Sequence, residues 1–274
     1  MVHLPRIGLA EAKRTIFEVK MLLALSGAFV IYRTDNMILI FDYFETIVHN
    51  KSMDFNCVLK SLWDKYYKDK CSFEDIADFG EELFQHLLNV HQEGKEYAFV
   101  KEELPEYAAK YGGEVVQMTP EEEADFLMLC NEMENMPALP ETLHEFYDLK
   151  IPMYVLSNSG FTAEALSIAL ERLGIRKYFN RIWSSADFGS IKPNREFFEM
   201  AIDNVLSDNP DASREDIVFI GDMYSTDVVG ANRAGIKVIW LNHNRESNID
   251  ELPVYSIYDI SELGDKVKEL IGEK

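Results

Sequence analysis

Residues 38–48, ILIFDYFETIV, constrain this chain more than any other segment. A short apolar strand ends in a carboxylate, Asp42, and a hydroxyl follows four residues later at Thr46. A continuous apolar run bounded by polar residues is the mark of a strand covered on both faces. A second such run, residues 217–220, ends in Gly221-Asp222, with Asp227 five residues beyond Asp222. Two buried strands that each deliver a carboxylate at the C-terminal end describe the ligand crevice of an open α/β sheet.

From residue 139 onward strand and helix patterns alternate. Strands are expected over 153–156, 181–185, 217–220 and 237–241, and helices over 163–173, 196–205 and 228–234. Gly174 and Gly235 read as C-terminal stops, and Pro193 lies near a helix's first turn, where a missing N–H costs nothing. Repeated strand–helix units predict an α/β fold with a doubly wound parallel sheet covered on both faces. Residues 50–138 read differently. Apolar positions recur at helical spacing over 73–90, and Thr119-Pro120-Glu121-Glu122 is a capping box leading into a helix over 124–130. No strong strand pattern occurs there.

The expected organisation is therefore a core built from residues 37–49 and 139–274, with a smaller all-α cap domain over 50–138. Inserted directly after the first core strand, such a cap sits above the C-terminal edge of the sheet, with hinges near 49–52 and 137–140. Residues 1–36 read as a dispensable extension. The apolar run over 21–32 is shorter than the roughly 20 residues a bilayer requires, and no small-x-small cleavage pattern follows it.

Composition narrows the partners. The 274 residues carry a formal net charge of −21 without a basic patch, which excludes nucleic acid and anionic membrane surfaces as expected partners. Cys57, Cys71 and Cys130 are scattered without metal-ligand spacing, the usage of a protein in a reducing, cytoplasmic compartment.

Phosphoryl chemistry needs a nucleophile, a metal to neutralise oxygen charge, a hydroxyl or amide cradle and a cation near the attacked centre. Asp42 supplies a rigidly held carboxylate. Asp222 and Asp227 are hard oxygen donors suited to Mg²⁺. Ser157 and the amide of Asn158 stand at a strand end, and Lys192 stands just before a helix. These segments in this order resemble the haloacid dehalogenase (HAD) superfamily of hydrolases: FDYFETIV, VLSNS, IKPN and GDMYSTD. The resemblance runs over about residues 37–245 and implies a Rossmann-like core with an inserted cap. It implies a Mg²⁺-dependent phosphatase acting on a small phosphorylated metabolite. Asp42 is then the nucleophile, and Mg²⁺ is held by Asp42, the main-chain carbonyl of Phe44 and Asp222, with Asp227 in support. Thr46, Ser157 and Asn158 hold the phosphoryl group, and Lys192 orients it.

The sequence departs from that pattern at one position. Phosphatases of the family carry an acid two residues after the nucleophile, and this chain carries Phe44. General acid–base help of that kind is worth about a hundred- to ten-thousandfold. Neighbouring Glu45 reads as an exposed loop residue. A metal-independent 2-haloacid dehalogenase needs no leaving-group acid, so it stands as an alternative, and a non-catalytic binding protein on the same fold as another. Against the dehalogenase, two further carboxylates held near Asp42 without a cation are costly. His86 and His91 read as surface or packing residues. Trp63, Tyr66, Tyr67, Trp183 and Trp240 read as core, and Asn194 reads as part of a helix start.

Overall fold

The computed structural model describes residues 36–272 and, ahead of them, two short antiparallel strands, β1 (Met21–Leu23) and β2 (Phe29–Ile31). The expected extension over 1–36 otherwise lies outside the described residues. Eight strands follow: β3 (Ile38–Phe41), β4 (Val48–Met53), β5 (Asn131–Asn135), β6 (Met153–Ser157), β7 (Arg181–Ser184), β8 (Ile217–Gly221), β9 (Lys237–Leu241) and β10 (Tyr255–Ile257). Six of them form one parallel sheet in the order β10-β9-β8-β3-β6-β7. The chain leaves β3 toward β6 and β7 on one side, then returns to β8 on the other. The C-terminal end of β3 is thus the switch point at which an α/β sheet opens a crevice.

Period-two alternation divides β3 between two cores. Leu39 and Phe41 face one layer, with Leu143 and Phe146 of the helix Leu139–Asp148, Leu166 and Leu170 of Ala163–Arg172, and Val267 and Leu270 of Leu263–Gly272. Ile38 and Ile40 face the other, against Phe197, Phe198 and Ile202 of Arg195–Asp208 and Ala231 of Val229–Ala234. Every residue of β3, β6 and β8 is buried, which is why these strands read as unbroken apolar runs.

The segment after β4 contains the helices Phe55–Leu62, Phe73–Gln92, Leu104–Tyr111 and Pro120–Cys130, packed around Val58, Leu62, Ile76, Phe79, Leu104, Tyr107 and Phe126. The capping box of Thr119 and Glu122 forms as expected, and Ser72 with Asp75 forms another. One expectation needs correction. Residues 50–138 are not free of strand, because β4 and β5 pair antiparallel from Val48↔Asn135 to Met53↔Asn131, with an irregularity between Asn50 and Met53. Their sequences, VHNKSM and NEMEN, carry no apolar alternation. They are strands through each other's hydrogen bonds, a partnership local sequence does not encode. β4 covers the first expected hinge, 49–52, while β5 ends just before the second, 137–140. Among the described residues, no helix is long and apolar enough to cross a membrane.

Close packing behind the sheet rests on Gly230. A Cβ added there would stand 2.2 Å from Cε2 of Phe198, itself fully buried. Gly230→Ala is expected to lower stability by about 1–3 kcal/mol through overpacking, and Phe198→Leu in the same chain to recover part of that loss. Urea melts of the single and double variants check this.

Candidate active site

Asp42 is the first residue beyond β3. Its N–H donates to the carbonyl of Ile220 at 2.8 Å, extending the β3–β8 ladder by one residue. The next side chain, Tyr43, turns into the core, where its hydroxyl donates to the Leu166 carbonyl. A tight turn follows, in which Ile47 N and Val48 N both donate to the Tyr43 carbonyl at 2.9 and 3.0 Å. Glu45 holds this turn in the left-handed region, with φ +53°.

Asp227 arrives from β8 through the wide turn Tyr224–Val228, and the N–H of Met223 donates to its Oδ2 at 3.0 Å. Gly221 makes the fold-back possible, since a Cβ there would stand 2.4 Å from that same oxygen. Lys192 precedes the helix Arg195–Asp208 and is clamped by Asn158. Lys192 N donates to Asn158 Oδ1 at 2.7 Å, and Asn158 Nδ2 donates to the Lys192 carbonyl at 3.0 Å. So fixed, the Lys192 ammonium donates to Asp42 Oδ1 at 2.5 Å and to Asp227 Oδ1 at 2.8 Å. Asp222 completes the group: oxygens of Asp42, Asp222 and Asp227 all lie within 4.8 Å of one another.

This is an excess of negative charge in a dry place. Lys192 is 2% exposed, Asp42 8% and Asp227 0%. Burial pushes the Asp42 carboxyl up to about 6, with Lys192 opposing and Asp227 adding to the rise. Burial, then the charges of Asp42 and Asp227, push Asp222 up to about 8 against the pull of Lys192. Burial works against the Lys192 ammonium, yet the charges and hydrogen bonds of Asp227 and Asp42 outweigh it and hold the lysine above its usual range. Three carboxylates facing one ammonium form an oxygen donor set that a divalent cation fits.

The structure thus brings Asp42, Asp222, Asp227 and Lys192 together, and attaches Asn158 to them through Lys192. Asn158 was expected to offer its main-chain amide to a phosphoryl group; its side chain also clamps the lysine backbone. Ser157 and Thr46 are fully buried at the ends of β6 and of the turn after β3. The Ser157 hydroxyl makes a long contact of 3.3 Å to the Asn158 carbonyl, and the Thr46 hydroxyl has no partner among the described residues. A buried orphan hydroxyl calls for a ligand or a water. Phe44 packs its ring 4.8 Å from that of Tyr43 and against the core, so no acid stands there. Glu45 is not simply exposed. Its carboxylate accepts from Asn50 N at 2.9 Å and meets His49 Nδ1 at 2.8 Å, which turns it to the ribbon.

Two positioning contacts had no sequence signal. Trp240, read as packing, also donates its indole N–H to the Asp222 carbonyl at 2.8 Å. The loop over residues 94–99 seams the helical segment to the core. Ile191 N and Asn194 Nδ2 both donate to the Gly94 carbonyl at 3.2 and 2.6 Å, beside Lys192. Phe99 N donates to the Gly160 carbonyl at 2.9 Å, and buried Glu96 takes a hydrogen bond from the hydroxyl of Ser185.

A family model described as haloacid dehalogenase-like hydrolase matches residues 39–241. The pyrimidine 5'-nucleotidase YjjG of Escherichia coli (strain K12) is 35% identical over 106 residues, 38% of this chain and 45% of that protein. The chain therefore matches less than half the length of that relative. The pyrimidine 5'-nucleotidase PynA of Streptococcus pneumoniae (strain ATCC BAA-255 / R6) is 24% identical over 216 residues, 78% of each chain. Among solved structures, 2-haloacid dehalogenase from Pseudomonas syringae pv. Tomato DC3000 superposes with a TM-score of 0.62 at 17% identity, over 85% of this chain and 99% of that one. That last likeness shows the fold.

A pH test follows from the crowded carboxylates. Without metal, Asp42 and Asp222 bind protons more tightly folded than unfolded. Their stabilising contribution is complete below about pH 4 and is lost as pH rises through about 6 and about 8. Asp222→Asn keeps the shape and stays neutral. In EDTA the variant is expected to melt above wild type near pH 8.5, with the gap closing toward pH 5.5. Equal melting temperatures at both pH values contradict the assignment.

Proposed function

This chain belongs to the haloacid dehalogenase-like hydrolases, and from that membership we propose that it is a Mg²⁺-dependent phosphatase of a small phosphorylated metabolite. The observation that carries the proposal is the cluster of Asp42, Asp222 and Asp227 served by the single ammonium of Lys192. A halide-displacing site needs no such surplus of carboxylate, and holding one without a cation is costly. The curated relatives named above as nucleotidases support the same choice.

Asp42, the Phe44 carbonyl and Asp222 would hold Mg²⁺, with Asp227 supporting them. When bound, the ion neutralises the oxygens of the transferring phosphoryl group. Lys192 occupies Oδ1 of Asp42 and leaves Oδ2 to attack. The Oδ2–P bond forms, the bond from phosphorus to the ester oxygen breaks, and the electron pair leaves with that oxygen. Water then attacks phosphorus, the Oδ2–P bond breaks, and inorganic phosphate and the Asp42 carboxylate return. Thr46, Ser157 and the amide of Asn158 hold phosphoryl oxygens, and the Lys192 ammonium stabilises their charge. The helical segment serves as the cap, moving on the β4–β5 ribbon to exclude water and then readmit it.

Phe44 leaves the departing oxygen without a proton donor, and Glu45 is engaged with His49 and Asn50. The enzyme should therefore favour good leaving groups. We expect acetyl phosphate and p-nitrophenyl phosphate to be hydrolysed with Mg²⁺ and not in EDTA, and Asp42→Asn to lose at least about a thousandfold. Phe44→Asp should raise kcat on alkyl phosphates by about tenfold or more and change acetyl phosphate little. Phosphate release is the measurement. Equal activity of wild type and Asp42→Asn across these substrates contradicts the proposal.

A further inference from the structure

The helical segment contains a concavity apart from the carboxylate cluster. A cavity of about 530 Å³ lies between the helices Phe55–Leu62 and Phe73–Gln92, and Gly160 and Phe161 of the core form part of its wall. That volume falls in the range of roughly 300–1,000 Å³ typical of small-molecule sites. Most of the wall is apolar, including Val58, Leu59, Leu83, Phe84 and Phe99. Asp54, Asn56 and Glu81, all exposed, add polar groups to it, and two further polar residues are more buried. Tyr97 is 6% exposed and its hydroxyl has no hydrogen-bond partner among the described residues. Glu103 is pushed up to about 7 by burial.

The position of the cavity ties it to the phosphate site. Gly160 and Phe161 follow Ser157 by three and four residues, a reach of at most about 14 Å. Phe99, in the same wall, is bonded to Gly160 through its N–H. On another side, Asp54 and Phe55 continue directly from β4, whose first residue, Val48, lies six beyond Asp42.

We propose that this cavity receives the alcohol part of the phosphate ester, and that this part is a flat, largely apolar ring carrying a polar atom that meets the Tyr97 hydroxyl. This is the chemistry of a nucleobase or an aryl group rather than of a short polyol. The proposal rests on the phosphatase reading of Asp42. The buried part of the wall is mostly apolar, so the hydroxyls of a triose lodged there would be desolvated with few partners. A ring buries apolar area and gives the Tyr97 hydroxyl a partner.

The test compares kcat/KM for uridine 5'-monophosphate, p-nitrophenyl phosphate, glyceraldehyde 3-phosphate and acetyl phosphate in wild type, Ala77→Leu and Tyr97→Phe. Ala77 lines the cavity, and leucine there fills it. Wild type should prefer uridine 5'-monophosphate, whose leaving group is an alkyl alcohol like that of the triose phosphate, to the triose phosphate by at least about tenfold. Both variants should lower the ratio of ring-ester to acetyl phosphate kcat/KM, Ala77→Leu by about tenfold and Tyr97→Phe by about fivefold, the loss expected of one hydrogen bond. Tyr97→Phe should melt no lower than wild type, because the hydroxyl removed is unpaired. A triose phosphate hydrolysed as well as the ring esters overturns the proposal, and so does an unchanged ratio in both variants. Calorimetric titration with uridine and with p-nitrophenol reads the cavity without chemistry and separates nucleoside from aryl. Uncleaved acetyl phosphate with ring binding intact would defeat the phosphatase reading alone; absence of binding by either ring would defeat this one.

Discussion

The bridge from the Lys192 ammonium to Asp42 and Asp227 is the contact on which the rest of the structure depends. It joins the ends of β3 and β8 to the loop before the helix Arg195–Asp208, three segments far apart in sequence. Removing one member of a buried ion pair leaves its partner as an uncompensated charge, at a cost of about 3–5 kcal/mol. The surroundings are arranged to hold the bridge. Gly221 lets Asp227 fold back, Met223 N–H fixes its second oxygen, and Asn158 grips the lysine backbone on both sides. The bridge still leaves the carboxylates under-compensated, as the raised carboxyls of Asp42 and Asp222 record. A site that is well built and short of positive charge is one prepared for a cation.

The helical segment acts on this centre through the loop over residues 94–99. That loop meets the core beside Lys192, through Gly94 with Ile191 and Asn194, and beside Ser157, through Phe99 with Gly160. The loops that carry Lys192 and Ser157 are therefore both touched by the segment whose helices shape the cavity. On the readings proposed above, binding in that cavity and alignment at Asp42 would share one set of contacts. Such an arrangement lets remote binding energy orient the reacting group.

Much of this was legible in the sequence, for a physical reason. β3, β6 and β8 are buried on both faces, so their composition betrays them, and strand ends in an open parallel sheet are where ligands sit. Asp42, Asp222 and Asp227 were read from such strand ends and Lys192 from its place before a helix, and the four lie together. The β4–β5 ribbon was not found, because polar strands stabilised only by each other have no local pattern. The same holds for Trp240 on the Asp222 carbonyl, Asn158 on Lys192 and Glu45 on His49: each is a contact between a common side chain and a distant or unremarkable partner. β10 is a three-residue edge strand, too short for alternation to register.

Phe44 gives the account its sharpest form. On the phosphatase reading, the carboxylates, the lysine and the orphaned Thr46 hydroxyl would serve a phosphoryl group, while a ring packed on Tyr43 fills the position of the leaving-group acid. If the account is right, phosphoryl transfer to Asp42 proceeds without that acid. Rapid acid quench of a reaction with ³²P-labelled acetyl phosphate and Mg²⁺, followed by peptide mapping, tests this most directly. The account predicts transient label on the peptide that contains Asp42. Turnover without label on that peptide at any quench time, or label on another residue, would contradict it.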